Sequence, residues 1–234
     1  MIVADRLAAL HFTAQDEGTT DLDHVDIIRL DPFLRGLLFT DGTVTRALEA
    51  HTLSPVAVEA VEQTQALAPT RVARYLGVKR TDECIRRRVV MRIAGTSLSV
   101  WAESYLVPQR LPAYFLGLLG GSSHGIGGSL QQLKLESRRE LLWFGLGPPP
   151  RWSGSATSVT RALVRFYRVI TQGLPALLIS EAFAVEMRSG LYRLMGSADS
   201  ADDTPSGSTQ GRVQASTDPG DPTTRGDGAA PPTD

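Results

Sequence analysis

Two segments of the chain alternate apolar and polar side chains with the period of two that is typical of a β-strand. Within residues 85–93, one face of the first segment carries Ile85, Arg87, Val89, Met91 and Ile93. Within residues 176–185, one face of the second segment carries Leu177, Ile179, Glu181, Phe183 and Val185. Each face is therefore apolar except for one charged residue, Arg87 or Glu181, and this pattern constrains both the fold and the function.

Each of these strands has a predicted hairpin partner. Residues 98–107 follow the first strand after the turn Ala94-Gly95-Thr96, and residues 163–171 precede the second strand, ahead of a turn at 172–175. Short helices are predicted at 69–76, at 112–119 and from Pro32 onward, where proline suits the first helical turn. Two hairpins combined with short helices predict an α+β domain with an antiparallel sheet.

The single charges on the two apolar faces have three interpretations. Arg and Glu are rarely buried unless they are paired or bound to a ligand, because desolvating an isolated charge costs several kcal/mol. Arg87 and Glu181 therefore form an ion pair in the core, or they face a pocket. In a pocket, Arg87 would bind an anionic ligand and a desolvated Glu181 would be poised for proton transfer. The third interpretation is a misread strand register, in which one of the charges faces water.

Composition limits the partners and cofactors of the chain. Lys and Arg number 24 against 25 Asp and Glu, so we expect no nucleic-acid partner, because neutralising many phosphates requires an excess of basic residues. The single cysteine, Cys84, excludes an internal disulfide, and the four histidines lack the spacing of metal ligands. The glycine-rich residues 120–128 lack the Lys-Ser/Thr ending of a P-loop, and we expect a lid or a plain connection there.

The two ends of the chain differ from its centre. Residues 197–234 contain seven Asp, two Arg and one large aliphatic residue, Val213, so we expect a disordered acidic tail rich in Pro, Gly, Ser and Thr. The folded domain is then residues 1–196, with a poorly defined N-terminal segment at 1–29. No secretory signal is visible, and the apolar stretch 111–121 is shorter than the ~20 residues that span a bilayer. We therefore expect a cytoplasmic protein without a membrane partner.

Four motifs follow one another in a characteristic order from about residue 30 to residue 183. They are Leu30-Asp31-Pro32 with Asp41-Gly42-Thr43-Val44-Thr45-Arg46; Arg87-Arg88-Val89-Val90-Met91 with Ala102-Glu103-Ser104 and Arg110-Leu111-Pro112; Gly125-Ile126-Gly127; and Arg165-Phe166-Tyr167-Arg168-Val169-Ile170 with Gly173-Leu174-Pro175 and Ile179-Ser180-Glu181-Ala182-Phe183. In order and spacing they resemble the chorismate pyruvate-lyase family, including its actinobacterial branch of 4-hydroxybenzoate synthases.

This resemblance implies functions for particular positions. The substrate-binding arginine of the family matches Arg87, and its active-site glutamate matches Glu181. Backbone groups of the family's pocket match Thr43 and Val44, together with Ile126, which stands where leucine is usual. The implied fold is chorismate lyase-like, an antiparallel sheet whose helices enclose a small-ligand pocket.

The implied reaction is the elimination of pyruvate from chorismate, which gives 4-hydroxybenzoate. Because the ring becomes aromatic, this lyase reaction is downhill and needs no redox or metal cofactor. Arg87 would bind a carboxylate through its bidentate fork. Glu181 would either donate a proton to the departing enolpyruvyl group or orient the substrate for an internal proton shift. We expect a monomer whose partner is this small-molecule substrate.

A second function class has the same implied fold. The segment Glu103-Ser104-Tyr105-Leu106-Val107-Pro108 resembles a part of the sensor domains of GntR-type transcription regulators. The alternative is therefore a non-enzymatic domain that binds a small molecule. Such regulators carry a helix-turn-helix domain ahead of the sensor, and residues 1–29 are too few to form one, which favours the lyase.

Overall fold

The structure is a computed structural model that describes residues 22–121, 125–153 and 159–196. Its helices are α1 (Pro32–Phe39), α2 (Val44–Thr52), α3 (Thr70–Leu76), α4 (Ala113–Gly121) and α5 (Ile126–Gln132). Its strands are β1 (Val56–Leu67), β2 (Glu83–Ile93), β3 (Ser99–Leu106), β4 (Ser137–Gly147), β5 (Ala162–Thr171), β6 (Leu174–Arg188) and β7 (Leu191–Leu194). The predicted tail at 197–234 and the first 21 residues lie outside the described part of the chain.

The strands form one antiparallel sheet in the order β1-β2-β3-β6-β5-β4, and β7 pairs with the end of β6. The α+β class and both predicted hairpins, β2–β3 and β5–β6, are confirmed. The three predicted helices correspond to α1, α3 and α4. Strand β4 had no counterpart in the sequence analysis, because its second half is buried on both faces and shows no alternation.

The glycine-rich segment is only partly the loop that was expected. Helix α4 continues to Gly121, and α5 begins at Ile126, so helical turns enter the segment from both sides. Residues 122–124, at its centre, lie outside the described residues. The prediction of a lid or a plain connection is therefore wrong for Ile126, Gly127 and Gly128, which form the first turn of α5.

One face of the sheet carries two apolar clusters, one at each end of the strands. At one end, α1 and α2 cover the sheet; Asp31 caps α1 by accepting a 2.7 Å hydrogen bond from the Leu34 N–H, and Leu34, Leu37 and Leu38 bury its apolar stripe. At the other end, α4 and α5 contribute Phe115 and Leu130. Helix α3 packs on the opposite face, where Cys84 is buried.

Strand register places two rows of side chains across the first face, between these clusters. Residues that lie directly opposite one another on adjacent strands share a face, because side chains alternate along each strand. The first row, across β2, β3, β6 and β5, is Arg87, Ser104, Ile179 and Tyr167. The second row, across the same strands, is Val89, Ala102, Glu181 and Arg165. Both charged residues singled out by sequence alternation thus face the same side, which excludes a misread register.

Candidate active site

A cavity lies over these two rows, beneath the start of α2 and the start of α5. Its walls are formed by Gly42, Thr43, Val44, Thr45, Val58, Arg87, Val89, Met91, Ala102, Ser104, Gly125, Ile126, Gly127, Arg139, Tyr167, Ile179 and Glu181. All five residues predicted for the site, Arg87, Glu181, Thr43, Val44 and Ile126, are among them. The fold therefore brings these five residues together around one cavity, although Thr43 and Glu181 are 138 positions apart in the sequence.

Glu181 is held by Arg165, not by Arg87. The Nε of Arg165 donates to Oε2 of Glu181 at 2.7 Å, and the Tyr167 hydroxyl donates to Oε1 at 3.0 Å. Only 5% of Glu181 and 2% of Arg165 are exposed to solvent. The ion pair between Arg87 and Glu181, one of the interpretations of the sequence, is therefore wrong, because the strand beside β6 supplies a nearer partner.

Arg165 is itself fixed by the end of α1. Its Nη1 donates to the backbone carbonyls of Leu37 and Leu38, the latter at 3.1 Å. These are orphan carbonyls of the last helical turn, so the guanidinium satisfies groups that the helix leaves unpaired. Burial has the largest single effect and disfavours the charged guanidinium, but the charge of Glu181 and the contacts with Glu181 and Tyr167 together outweigh it, and the pKa of Arg165 is raised. A permanent cation thus faces the Glu181 carboxylate.

Tyr167 provides the second hydrogen bond to Glu181, and it does so as a neutral phenol. Burial, and next the charge of Glu181, raise the pKa of Tyr167 well above its ordinary value. The hydroxyl therefore keeps its proton and remains a donor to the carboxylate. With both oxygens engaged, Glu181 is an oriented, charge-paired carboxylate rather than the isolated group in an apolar setting that the sequence analysis envisaged.

Arg87 is a buried cation that no carboxylate offsets among the described residues. It is 3% exposed, and its Nη1 donates to the side-chain oxygen of Gln63, which lies directly opposite on β1. Its Nε is buried without a hydrogen-bond partner in the described part of the chain. Burial lowers the pKa of the guanidinium, which shows that the charged form is destabilised where it stands. An anion bound in the cavity would relieve that cost.

Two helix starts form the roof of the cavity. Helix α2 begins at Val44, and its N-cap residue Thr43 makes no side-chain capping bond. Helix α5 begins at Ile126 after Gly125, which has no side chain to cap with. The N–H groups of a first helical turn lack partners within the helix, so both starts offer backbone donors at the cavity wall. A Cβ on Gly127 would lie 2.9 Å from the Thr43 Cγ2, so glycine is what lets the two starts meet.

Sequence reasoning missed two arginines of the site. Arg165 lies in the alternating series Leu163, Arg165, Tyr167 and Val169, so the same signal that identified Arg87 was available for it. Arg139 lies on β4, which was not predicted, and no sequence signal places it at the cavity. Among the described residues, no group of three or more His, Cys, Asp or Glu could hold a metal ion, and no helix there is long and apolar enough to cross a membrane.

The fold and the site define an antiparallel α+β domain that encloses a small cavity, lined by a buried arginine that has no carboxylate partner among the described residues. A family model described as Chorismate pyruvate-lyase Rv2949c-like matches residues 38–191. Because that match spans well over half of the chain, the protein belongs to this family.

Curated relatives carry the same description. A "Chorismate pyruvate-lyase" of Mycobacterium tuberculosis is 28% identical over 168 residues, which cover 69% of this chain and 84% of that protein. A "Chorismate pyruvate-lyase" of Mycobacterium leprae is 27% identical over 166 residues, covering 69% of this chain and 79% of that protein.

Solved structures resemble the chain more distantly. PhnF from Mycobacterium smegmatis has a TM-score of 0.49 at 14% identity, with 61% of this chain and 64% of that chain covered. Its separately solved effector domain has a TM-score of 0.48 at 13% identity, with 62% and 90% covered. No function follows from similarity at this level.

Proposed function

We propose that the protein eliminates pyruvate from chorismate and forms 4-hydroxybenzoate. One observation carries this proposal: the unpaired Arg87 and the oriented Glu181 face one cavity whose walls are otherwise largely apolar. Chorismate has a ring carboxylate at one end and a ring hydroxyl opposite it. The Arg87 guanidinium can bind the ring carboxylate, and the Glu181 carboxylate can accept a hydrogen bond from the ring hydroxyl. The cavity therefore offers complementary groups for both ends of this ring.

Arg87 binds the ring carboxylate in this proposal. A guanidinium presents parallel N–H donors to a carboxylate, and the unpartnered Nε of Arg87 is one of them. Backbone N–H groups at the starts of α2 and α5, near Thr43, Val44 and Ile126, lie at the same cavity and complete the anion site. Because Arg87 is buried, its contacts with an anion are stronger than they would be at a surface.

Glu181 orients the substrate in this proposal. Its carboxylate accepts a hydrogen bond from the ring hydroxyl and thereby fixes the ring relative to Arg87. The ether bond between the ring and the enolpyruvyl group breaks, and the hydrogen on the carbon that bears the hydroxyl moves to the enolpyruvyl methylene. The products are then pyruvate and an aromatic ring. The contacts of Glu181 favour this internal proton transfer over proton donation by Glu181, since both carboxylate oxygens already accept hydrogen bonds, one from Arg165 and one from Tyr167.

The test is to incubate the purified protein with chorismate and to quantify pyruvate and the hydroxybenzoate isomers by chromatography. We expect equal amounts of pyruvate and 4-hydroxybenzoate, formed without added metal or cofactor. Release of a different isomer would refute the proposed regiochemistry. Binding of chorismate without release of pyruvate would refute the lyase and leave the alternative, a non-enzymatic small-molecule-binding domain.

A further inference from the structure

We propose that Arg139 binds the second carboxylate of the substrate, the one on the enolpyruvyl group, while Arg87 binds the first. This inference rests on the proposed function and deepens it, because it makes the cavity selective for a dianion. Chorismate carries two carboxylates, whereas 4-hydroxybenzoate carries one. A site with two cations therefore distinguishes the substrate from the aromatic product that remains after pyruvate has left.

The contacts of Arg139 are those expected of an arginine that binds an anionic ligand. It lines the same cavity as Arg87, and its Nη1 donates to the backbone carbonyl of Asp41. Its Nε is buried and has no hydrogen-bond partner among the described residues. The ion pairs found in that part of the chain include none with Arg139. Arg87 and Arg139 thus share two features, an orphaned Nε and the absence of a carboxylate partner.

The carboxylate next to Arg139 in the sequence, that of Glu140, pairs with other arginines. Glu140 pairs with Arg138 at 2.6 Å and with Arg168 at 2.6 Å. Those three side chains lie on the other face, because successive residues of β4 point to opposite sides. Strand alternation therefore directs Glu140 away from the cavity and leaves Arg139 there without a counterion.

The position of Arg139 matches the shape of chorismate. Arg87 lies on β2 and Arg139 on β4, so the two approach the cavity from opposite flanks of the sheet, with β3, β6 and β5 between them. Burial, and next the charge of Glu181, raise the pKa of Tyr167, and the charge of Arg139 opposes this shift. Arg139 and Tyr167 also line the wall of the cavity together, so Arg139 lies on the side where the Tyr167 hydroxyl contacts Glu181.

A cation at that place suits the chemistry of the substrate. In chorismate the enolpyruvyl ether and the hydroxyl are on adjacent ring carbons, and the ring carboxylate is opposite the hydroxyl. When the ring carboxylate lies at Arg87 and the hydroxyl at Glu181, the enolpyruvyl group lies beside Glu181, and in the orientation that we propose its carboxylate is on the side of Tyr167. Arg139 is the described cation on that side of the cavity that has no carboxylate partner, since Arg165 is committed to Glu181.

The experiment compares Arg139→Gln with Arg138→Gln, a matched change one residue away on the opposite face of β4, where the Arg138 side chain is exposed. The readouts are KM and kcat for chorismate and the inhibition constant of 4-hydroxybenzoate. Because a hydrogen bond to a charged group is lost, we expect Arg139→Gln to raise KM about 10- to 100-fold and to change the 4-hydroxybenzoate constant less than about threefold. Arg138→Gln leaves both values within about twofold of the wild type, and Arg139→Lys recovers part of the loss.

Two results would overturn the inference. One is an unchanged KM in Arg139→Gln; the other is an equal loss of affinity for chorismate and 4-hydroxybenzoate, which would assign Arg139 to the ring carboxylate or to the scaffold. Thermal unfolding of each variant shows whether the domain is intact. If the wild-type protein releases no pyruvate, the proposed function fails. The dissociation constants of chorismate and 4-hydroxybenzoate, measured by calorimetry on the same variants, then still decide whether Arg139 binds the second carboxylate.

Discussion

The Nε of Arg165 lies 2.7 Å from Oε2 of Glu181, and the same guanidinium donates to the carbonyls that end α1. This single side chain therefore links the covering helix, strand β5 and the central carboxylate of the cavity. A buried ion pair adds little net stability relative to apolar residues, because desolvation offsets attraction. Its consequence here is positional: Glu181 cannot turn without breaking contacts that also hold α1.

The first prediction concerns the stability of this pair. We expect Arg165→Met to lower the free energy of unfolding by about 3–5 kcal/mol, because it leaves Glu181 buried without a cation. The double variant Arg165→Met/Glu181→Met is expected to recover much of that loss, since no buried charge is left unpaired. Urea unfolding of Arg165→Met, Glu181→Met and the double variant measures the coupling energy between the two side chains. Additive losses would show that the two side chains do not interact energetically.

The second prediction concerns the chemical role of Glu181. Glu181→Gln keeps the size of the side chain and an acceptor for the substrate hydroxyl. If Glu181 orients the substrate, kcat for chorismate falls only about tenfold, and 4-hydroxybenzoate still binds. The measurement is steady-state pyruvate release. A loss of about 10²–10⁴ would instead identify Glu181 as the group that transfers the proton.

The sequence allowed us to identify the two charged residues Arg87 and Glu181, but not the partner of Glu181. Arg87 and Glu181 could be found because each interrupts an alternating apolar face, a pattern that is local in the sequence. The partner of Glu181 could not be found in this way, because it depends on which strand lies beside β6. Sheet order is a long-range property, so alternation shows which face a residue occupies but not which residue is its neighbour.

Arg139 illustrates a second limit. Strand β4 pairs with β5 through a bulge between Leu141 and Trp143, and most of its second half is buried on both faces. Such a strand has no apolar–polar alternation, and a bulge shifts the pattern where it exists. Its residues could therefore be assigned neither to a strand nor to a face from the sequence alone.

The third prediction compares two neighbouring arginines on β2. Arg87 faces the cavity, whereas Arg88 lies on the other face, where it pairs with Glu62 at 2.8 Å and with Glu103 at 2.7 Å. We expect Arg87→Ala to raise KM for chorismate and to lower kcat, a loss of roughly 2–4 kcal/mol in transition-state stabilisation. Arg88→Ala is the control and leaves both constants near those of the wild type. Equal losses in the two variants would contradict the assignment of the two faces.

The fourth prediction concerns the contact between the two helix starts. A Cβ on Gly127 would lie 2.9 Å from Cγ2 and 3.0 Å from Oγ1 of Thr43, so Gly127→Ala forces α5 and the start of α2 apart. We expect KM for chorismate to rise severalfold. Gly36→Ala is the matched control, since a Cβ there meets nothing within 4 Å and alanine favours a helix by about 1 kcal/mol. An unchanged KM in Gly127→Ala would show that this contact does not shape the cavity.

The fifth prediction follows from the buried phenol. The pKa of Tyr167 is raised in the folded protein, by burial first and then by the charge of Glu181, whereas the unfolded chain ionises it near its ordinary value of about 10. Above that pH the unfolded state binds fewer protons than the folded state. The free energy of unfolding therefore falls as pH rises, with a contribution from this residue that approaches ~1.4 kcal/mol per pH unit.

Tyr167→Phe provides the comparison for this pH dependence. The variant lacks the hydroxyl that donates to Glu181, so we expect it to be less stable than the wild type near pH 8, by about 1–3 kcal/mol, because one oxygen of a buried carboxylate loses its donor. Between pH 9 and pH 11 its stability falls less steeply, and the two unfolding curves converge. Parallel curves from urea unfolding at each pH would contradict the prediction, since all other titrating groups are common to both proteins and only the proton of Tyr167 differs.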